Sequence, residues 1–101
     1  MMLSEVVAVG SPQYLALDDW GQENLRYLAL GNEEGQHTAT AVFDPVSTEV
    51  VALEIFDVSD DVTWVWVKEG MTMNIPGQRI DPTQALQSLA YLLKATHDPS
   101  R

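Results

Sequence analysis

The chain has 101 residues, 46% of them hydrophobic, and its 15 acidic against 5 basic residues give a formal net charge of −10. This length and apolar content suit a single domain, residues 1–101, with one hydrophobic core. The negative charge would repel nucleic acid and anionic lipid, and no apolar run approaches the ~20 residues that a membrane helix needs. We therefore expect a partner that is neither nucleic acid nor a membrane.

Cysteine does not occur in the sequence, which excludes disulfides and thiolate metal sites. The N-terminal stretch MMLSEVVAVG carries no basic residue and only a brief apolar run, so it is unlike a signal peptide. Together these features predict a cytoplasmic protein.

Turn-forming residues divide the chain into short apolar segments. Four segments are rich in β-branched and aromatic residues and have connections short enough for hairpins: 25–30, 38–43, 49–56 and 62–67. Before residue 25 the sequence has no pattern typical of a long helix. The segments predict an antiparallel β-meander of four to six strands.

The last periodic segment predicts a helix over 82–95. Asp81 suits the N-cap position and Pro82 the first helical position. An apolar stripe recurs at helical spacing, formed by Leu86, Leu89, Ala90 and Leu93. We expect this helix to pack on one face of the sheet, which makes the fold class α+β.

Strand alternation predicts which side chains share a face of the sheet. Within 49–56, one face should carry Val51, Leu53 and Ile55. Within 62–67, Trp64 and Trp66 face one way and Val65 the other, so both sides of this strand are apolar. We expect the helix to cover one side and the N-terminal segment the other.

The two tryptophans admit two interpretations. They can fill the core, because large aromatic side chains are mostly buried. Alternatively, they can form an aromatic patch beside neighbouring carboxylates and anchor a protein partner. The second interpretation makes the candidate partner-binding residues Asp57, Asp60, Asp61, Trp64, Trp66, Glu33 and Glu34.

Catalytic patterns are weak throughout the sequence. The two histidines, His37 and His97, are far apart, and each is more typical of a surface residue than of a base or metal ligand. No zinc, calcium-loop or phosphate-binding motif has the required spacing. We predict a protein that is not an enzyme and that needs no cofactor or metal.

The order of segments resembles that of SUKH-type bacterial toxin-immunity proteins over about residues 25–95. The stretches that carry the likeness are LRYLALGNEEG, VFDPVSTEVVAL and IPGQRIDPTQALQSLAYLL. Members of that superfamily usually begin with helices and a proline-containing segment before the sheet, whereas the 24 residues before Leu25 show no convincing long helix. The stretch PGQRIDPTQALQSLAYLLKATHDP is similar to the end of another group of bacterial immunity proteins. Both resemblances imply a protein that neutralises a cognate toxin, often a nuclease, by binding it.

Three functions stay open on these grounds. The first is an immunity protein bound to a basic toxin domain. The second is a phage- or plasmid-encoded inhibitor of a host defence enzyme that imitates nucleic acid, which needs carboxylates at regular spacing along an extended face. The third is an accessory subunit that forms a homodimer through Trp64 and Trp66. The acidic pairs lie mainly in turns, which favours a local patch, although the charge also serves solubility alone.

Overall fold

A computed structural model describes residues 1–9, 12–21 and 24–95 of the chain, without the side chains of the last two. One sheet contains six strands in the order β1 to β6, and every neighbouring pair is antiparallel except β5 and β6. The elements in chain order are α1 (Leu3–Val7), β1 (Gln13–Asp19), β2 (Arg26–Gly31), β3 (His37–Phe43), β4 (Val50–Asp57), β5 (Val62–Val67), β6 (Gln78–Arg79) and α2 (Pro82–Ala95). The predicted α+β fold, a meander closed by a C-terminal helix, is confirmed.

The C-terminal helix begins as the sequence predicts. The Asp81 carboxylate accepts a hydrogen bond from the Gln84 backbone N–H at 2.7 Å, and the Gln84 side chain accepts one from the Asp81 N–H at 3.2 Å. This reciprocal pair satisfies two backbone donors that a helix start leaves open. Along α2, Leu89 and Leu93 are buried as expected, and Ala85 joins them.

Both helices lie on the same side of the sheet, which we call the helix face. Its core contains Val6 of α1, buried residues of α2, and inward side chains of the central strands. The strand residues in this core are Leu28, Leu30, Ala39, Ala41, Phe43, Val50, Leu53 and Ile55. Because α2 contacts β3, β4 and β5, the predicted packing of this helix on one face is correct.

The opposite face has its own core, built by a segment that contains no regular structure. Met73 and Ile75 pack there against Val65 and Ala52, and Trp20 packs at its margin. The expectation that the N-terminal segment covers this face is wrong for α1, which lies on the helix face. The connection between β5 and β6 covers it instead, because that connection must cross the sheet before β6 can pair parallel to β5.

A β-bulge corrects the predicted face of Val51. Val42 pairs with Ala52 and Phe43 pairs with Val50, so Val51 is an extra residue between two paired positions. Val50 therefore joins Leu53 on the helix face, while Val51 packs in the opposite core. Simple alternation assigned Val51 to the face of Leu53, and that assignment is wrong.

Gly77 lets the crossing segment approach β5 closely. It has a φ of +142°, and a Cβ at this position would lie 2.6 Å from Val65 Cγ2 and 2.9 Å from the Thr63 carbonyl oxygen. The Arg79 guanidinium then donates to the backbone carbonyl of Ile75 at 2.9 Å. These contacts hold the segment against the second face of the sheet.

Candidate protein-binding surface

Two hairpin turns lie at the same end of the sheet, because alternate turns of an antiparallel meander share an end. One turn joins β2 to β3 and carries Glu33 and Glu34. The other joins β4 to β5 and carries Asp60 and Asp61, with Asp57 at the end of β4. We call the surface formed by Glu33, Glu34, Asp57, Asp60 and Asp61 the acidic end.

The first turn is organised by a buried asparagine. Asn32 Oδ1 accepts hydrogen bonds from the backbone N–H groups of Glu34 and Gln36, both at 3.0 Å, and Asn32 Nδ2 donates to Gln36 Oε1 at 2.9 Å. Because the side chain of Asn32 satisfies the turn from inside, Glu33 and Glu34 extend outward and are exposed.

The second turn is organised by one of its own carboxylates. Asp57 Oδ1 accepts a hydrogen bond from the Asp60 N–H at 3.2 Å, and the Asp61 N–H donates to the Val58 carbonyl at 3.3 Å. Asp61 has a φ of +53°, a conformation that aspartate tolerates better than most residues. Asp60 and Asp61 are exposed, whereas Asp57 is half-buried.

A cleft of about 170 Å³ lies at the acidic end and is lined by residues of both turns. Its walls include Gln36 and His37 on one side, Phe56 and Ser59 on the other, and Leu92 of α2. The rings of His37 and Phe56 meet edge to face with centroids 4.7 Å apart. The sequence patterns did not identify these lining residues, although the Asn-Glu-Glu-Gly turn that positions several of them is visible in the sequence.

His37 also affects a neighbouring carboxyl group. Burial raises the pKa of Glu54 above its ordinary value of 4.5, and the charge of His37 opposes part of that increase. His37 Nε2 lies 3.0 Å from the Ala39 carbonyl oxygen and 2.8 Å from Thr40 Oγ1. Because a carbonyl oxygen can only accept a hydrogen bond, Nε2 carries the hydrogen in its contact with Ala39. A protonated Nε2 cannot take a proton from Thr40, so this arrangement is not that of a general base. His97 lies outside the described residues.

The described basic side chains lie away from the acidic end. Arg26 is paired with Asp19 at 3.6 Å, and Lys68 with Glu49 at 3.0 Å, both near the opposite end of the sheet. Arg79 donates to backbone carbonyls of the crossing segment. Within the part of the chain that the structure describes, Glu34, Asp57, Asp60 and Asp61 therefore form no ion pair with a lysine or arginine.

Trp64 and Trp66 do not belong to this surface. They are half-buried and pack against the helix-face core, opposite Ile55 and Leu53 of β4. The structure thus brings together the predicted acidic residues from two separate turns and separates them from the predicted aromatic pair. Asp18 and Asp19 end β1 and lie at the other end of the sheet.

Among the described residues, no group of three or more histidine, cysteine or carboxylate side chains is arranged to hold a metal ion. None of the described helices has the length and apolar character to cross a membrane.

Comparison of the chain with protein-family models, with curated proteins and with solved structures finds no match.

Proposed function

We propose that the chain is a non-catalytic immunity protein that neutralises a bacterial toxin by binding a basic surface of the toxin with its acidic end. The observation that carries this proposal is the position of two acidic turns at one end of the sheet, where Glu34, Asp57, Asp60 and Asp61 form no ion pair with a described lysine or arginine. Such a surface steers a cationic partner during association and suppresses binding of anionic ones.

The cleft between the two turns gives this charged surface a concave site for a partner side chain. Its walls combine polar groups of Gln36 and Ser59 with the ring of Phe56, and an apolar surface inside a polar rim is the usual anatomy of a protein interface. Val58 projects beside it with 78% of its surface exposed. A partner side chain with an apolar stem and a positive head, as in arginine or lysine, suits this combination.

The segment order that resembles SUKH-type immunity proteins supports the same role. Nucleic-acid mimicry fits less well, because mimicry needs carboxylates along an extended face and these five are concentrated at one end of the sheet. Self-association through Trp64 and Trp66 also fits less well, because both side chains pack against the core beneath α2.

The proposal is tested first with a toxin domain encoded beside the gene. Co-expression of the full chain should restore growth of cells that produce the toxin, and the two purified proteins should form a stoichiometric complex. Association should slow as salt increases, since exposed charges are screened beyond about 8 Å at physiological ionic strength.

Two variants with the same net charge distinguish the effect of the acidic end on association from the effect of the overall charge. Glu34→Gln with Asp60→Asn removes two charges from the acidic end, and Glu5→Gln with Glu69→Gln removes two charges from exposed sites elsewhere. We expect the first variant to slow association by about threefold to tenfold and the second to change it much less. Equal effects of both variants, or failure of the chain to bind any basic toxin, would contradict the proposal.

A further inference from the structure

The sheet has one long edge that no described strand covers. β1 is the outermost strand, it has seven residues, and all seven are exposed. The other edge, β6, has only two residues. A long edge strand presents backbone N–H and C=O groups that another strand can pair with, and proteins usually protect such edges with lysine, proline or a covering element. β1 contains neither lysine nor proline.

Three apolar side chains make this edge suitable for a protein contact. Tyr14, Leu15 and Leu17 have 65%, 40% and 52% of their surface exposed. Tyr14 and Leu17 also line an apolar groove of about 420 Å³ on the helix face, between β1 and α1. Leu3 and Val7 form its opposite wall, and Leu28 and Phe43 lie among its lining residues.

The side-chain directions along β1 are set by its pairing with β2. Tyr14 pairs with Leu30 and Leu17 with Leu28, which places both on the helix face. A bulge lies between Tyr14 and Ala16, so Leu15 and Ala16 both lie toward the second face, and Leu15 approaches Gly31 there. Gln13 and Asp18 lie on the second face as well, by their pairing with Gly31 and Tyr27.

This pattern is self-complementary in one antiparallel register. If Tyr14 lies opposite Leu17 of a second copy, then Leu15 lies opposite Ala16 and Gln13 opposite Asp18. Every opposed pair then shares a face of the sheet, and no carboxylate faces another. Other registers that use most of β1 oppose side chains that point to different faces. The bulge that makes β1 irregular therefore also selects this register.

We propose that two copies of the chain associate through β1 in this register and form one continuous antiparallel sheet. The pairing is isologous, as expected of a two-fold dimer. Tyr14 and Leu17 of both copies form one apolar cluster over the mouths of the two grooves. Burial of the apolar side chains and strand edges of both copies removes an area on the order of 1,000 Å² from water, which is near the lower limit for a specific interface.

The dimer has a consequence for partner binding. The two acidic ends point in opposite directions, because the paired strands run antiparallel. Each copy therefore keeps its acidic end accessible, and a dimer can bind two partner molecules. The start of β1 touches the acidic end, because the Gln13 side chain donates to the Glu33 carbonyl, but the dimer contacts of Tyr14 and Leu17 involve none of the five carboxylates. The dimer proposal therefore does not depend on the proposed immunity function.

Charge makes the dimer distinguishable from binding of a basic partner. Two chains that each carry a formal charge of −10 repel each other, so salt should strengthen dimerisation. A basic strand bound at β1 would show the opposite dependence, because salt would screen an attraction.

Sedimentation equilibrium of the full chain at about 0.05 M and about 0.5 M salt tests the proposal. We expect the dimer dissociation constant to decrease at the higher concentration. Leu17→Thr, which keeps a good strand former but removes the apolar contact, should weaken the dimer about tenfold or more at both concentrations.

Two substitutions of opposite charge at position 13 test the proposed strand register. Gln13→Lys places a cation opposite Asp18 of the second copy, and Gln13→Asp places two like charges there. Both remove the same hydrogen bond from Gln13 to the Glu33 carbonyl. At low salt the two dissociation constants should differ about tenfold, with the lysine variant tighter. Gln87→Lys, at an exposed site on α2, supplies the same added charge as Gln13→Lys away from β1 and is the control.

Circular dichroism and thermal unfolding of each variant establish that it is folded before its association is measured. A chain that stays monomeric at millimolar concentration and high salt overturns the proposal. The association belongs to another surface if Gln13→Lys and Gln87→Lys give the same dissociation constant and Leu17→Thr does not change it. Association that weakens with salt points to a contact of opposite charges and also overturns it.

Discussion

β5 and β1 are strands of similar length, and both carry large apolar side chains, yet their surroundings are opposite. Trp64 and Trp66 of β5 pack against the helix-face core, and Val65 packs beneath the crossing segment on the other face. Tyr14 and Leu17 of β1 remain exposed on the same helix face, because α2 lies over the central strands and not over β1.

The comparison shows that coverage by other elements, rather than strand composition, decides which apolar strand can contact a partner. A tryptophan pair in sequence looks more like an interface than QYLALDD does. However, β5 lies between a helix and a crossing segment, and β1 has a neighbour on one side only. Apolar side chains that are buried within the monomer contribute to its stability. Apolar side chains that remain exposed on the monomer are available for association with another chain.

The largest predicted effect comes from truncating the same residue type in the two environments. Leu89→Ala removes a fully buried side chain of α2 and should lower the free energy of unfolding by about 3–5 kcal/mol. Leu17→Ala in β1 should lower it by less than about 1 kcal/mol, because half of that side chain is already in water. Urea unfolding followed by tryptophan fluorescence, at a concentration that keeps the chain monomeric, measures both. Similar losses would mean that β1 is covered in the monomer.

The tryptophans give the next effect. Trp64→Ala and Trp66→Ala should each lower the free energy of unfolding by about 2–4 kcal/mol, somewhat less than for fully buried residues. Partner affinity of the folded fraction should stay unchanged, since these side chains lie under α2. Melting temperature and affinity are measured on the same samples, with Tyr14→Ala as the exposed aromatic control. A large loss of affinity at unchanged stability would restore the aromatic-anchor interpretation.

A smaller effect is expected where the crossing segment approaches β5. Gly77→Ala should lower the free energy of unfolding by about 1–3 kcal/mol, because the new methyl group meets Val65 and the Thr63 carbonyl. Gly70→Ala is the matched control: its φ of +89° also disfavours alanine, but no atom lies within 4 Å of the new Cβ. Thermal unfolding of both variants separates the clash from the backbone strain. Equal losses would show that the segment is not tightly held against β5.

The smallest effect concerns Glu54, which lies between Thr40 and Val65 in the sheet. Because burial raises its pKa above 4.5, ionisation of this carboxyl group opposes folding. That cost is absent below the ordinary pKa, grows as pH rises through the raised pKa, and is complete above it. Glu54→Gln should therefore unfold with a higher free energy than the parent chain at pH 7, and the difference should shrink as pH approaches 4.

His37→Ala provides the control for this pH dependence. The charge of His37 lowers the pKa of Glu54, so its removal should raise that pKa further and increase the stabilisation that Glu54→Gln produces. Unfolding curves between pH 4 and 8 are compared for the parent chain, Glu54→Gln, His37→Ala and the variant that carries both substitutions. A Glu54→Gln variant that is less stable than its parent at pH 7 would contradict the desolvation argument.

Several parts of the fold and the candidate site were predictable because their signals are local. β2 to β5 are rich in strand-forming residues, and α2 has an N-cap and an apolar stripe within its own sequence. The carboxylates of Glu33, Glu34, Asp60 and Asp61 are exposed because they lie in turns, which are usually at the surface. Their presence at one end also follows from a meander, once the strands are recognised.

Other features needed the assembled structure because they depend on contacts distant in sequence. β1 has no β-branched residue and exists as a strand by pairing with β2. The bulge at Val51 exchanges side chains between the two cores, and no local signal marks it. The coverage of the second face by Met73 and Ile75 required the chain to cross the sheet before β6.

By itself, the amino-acid sequence determined the fold class, the main strands, the capped terminal helix and the acidic turns. Tertiary structure alone decided that Trp64 and Trp66 are covered, that Tyr14 and Leu17 are not, and that the cleft of His37 and Phe56 lies between the acidic turns. The physical reason is that backbone preference and hydrophobic period act over a few neighbouring residues. Burial depends on which distant element lies above a side chain, and α2 covers only part of the helix face.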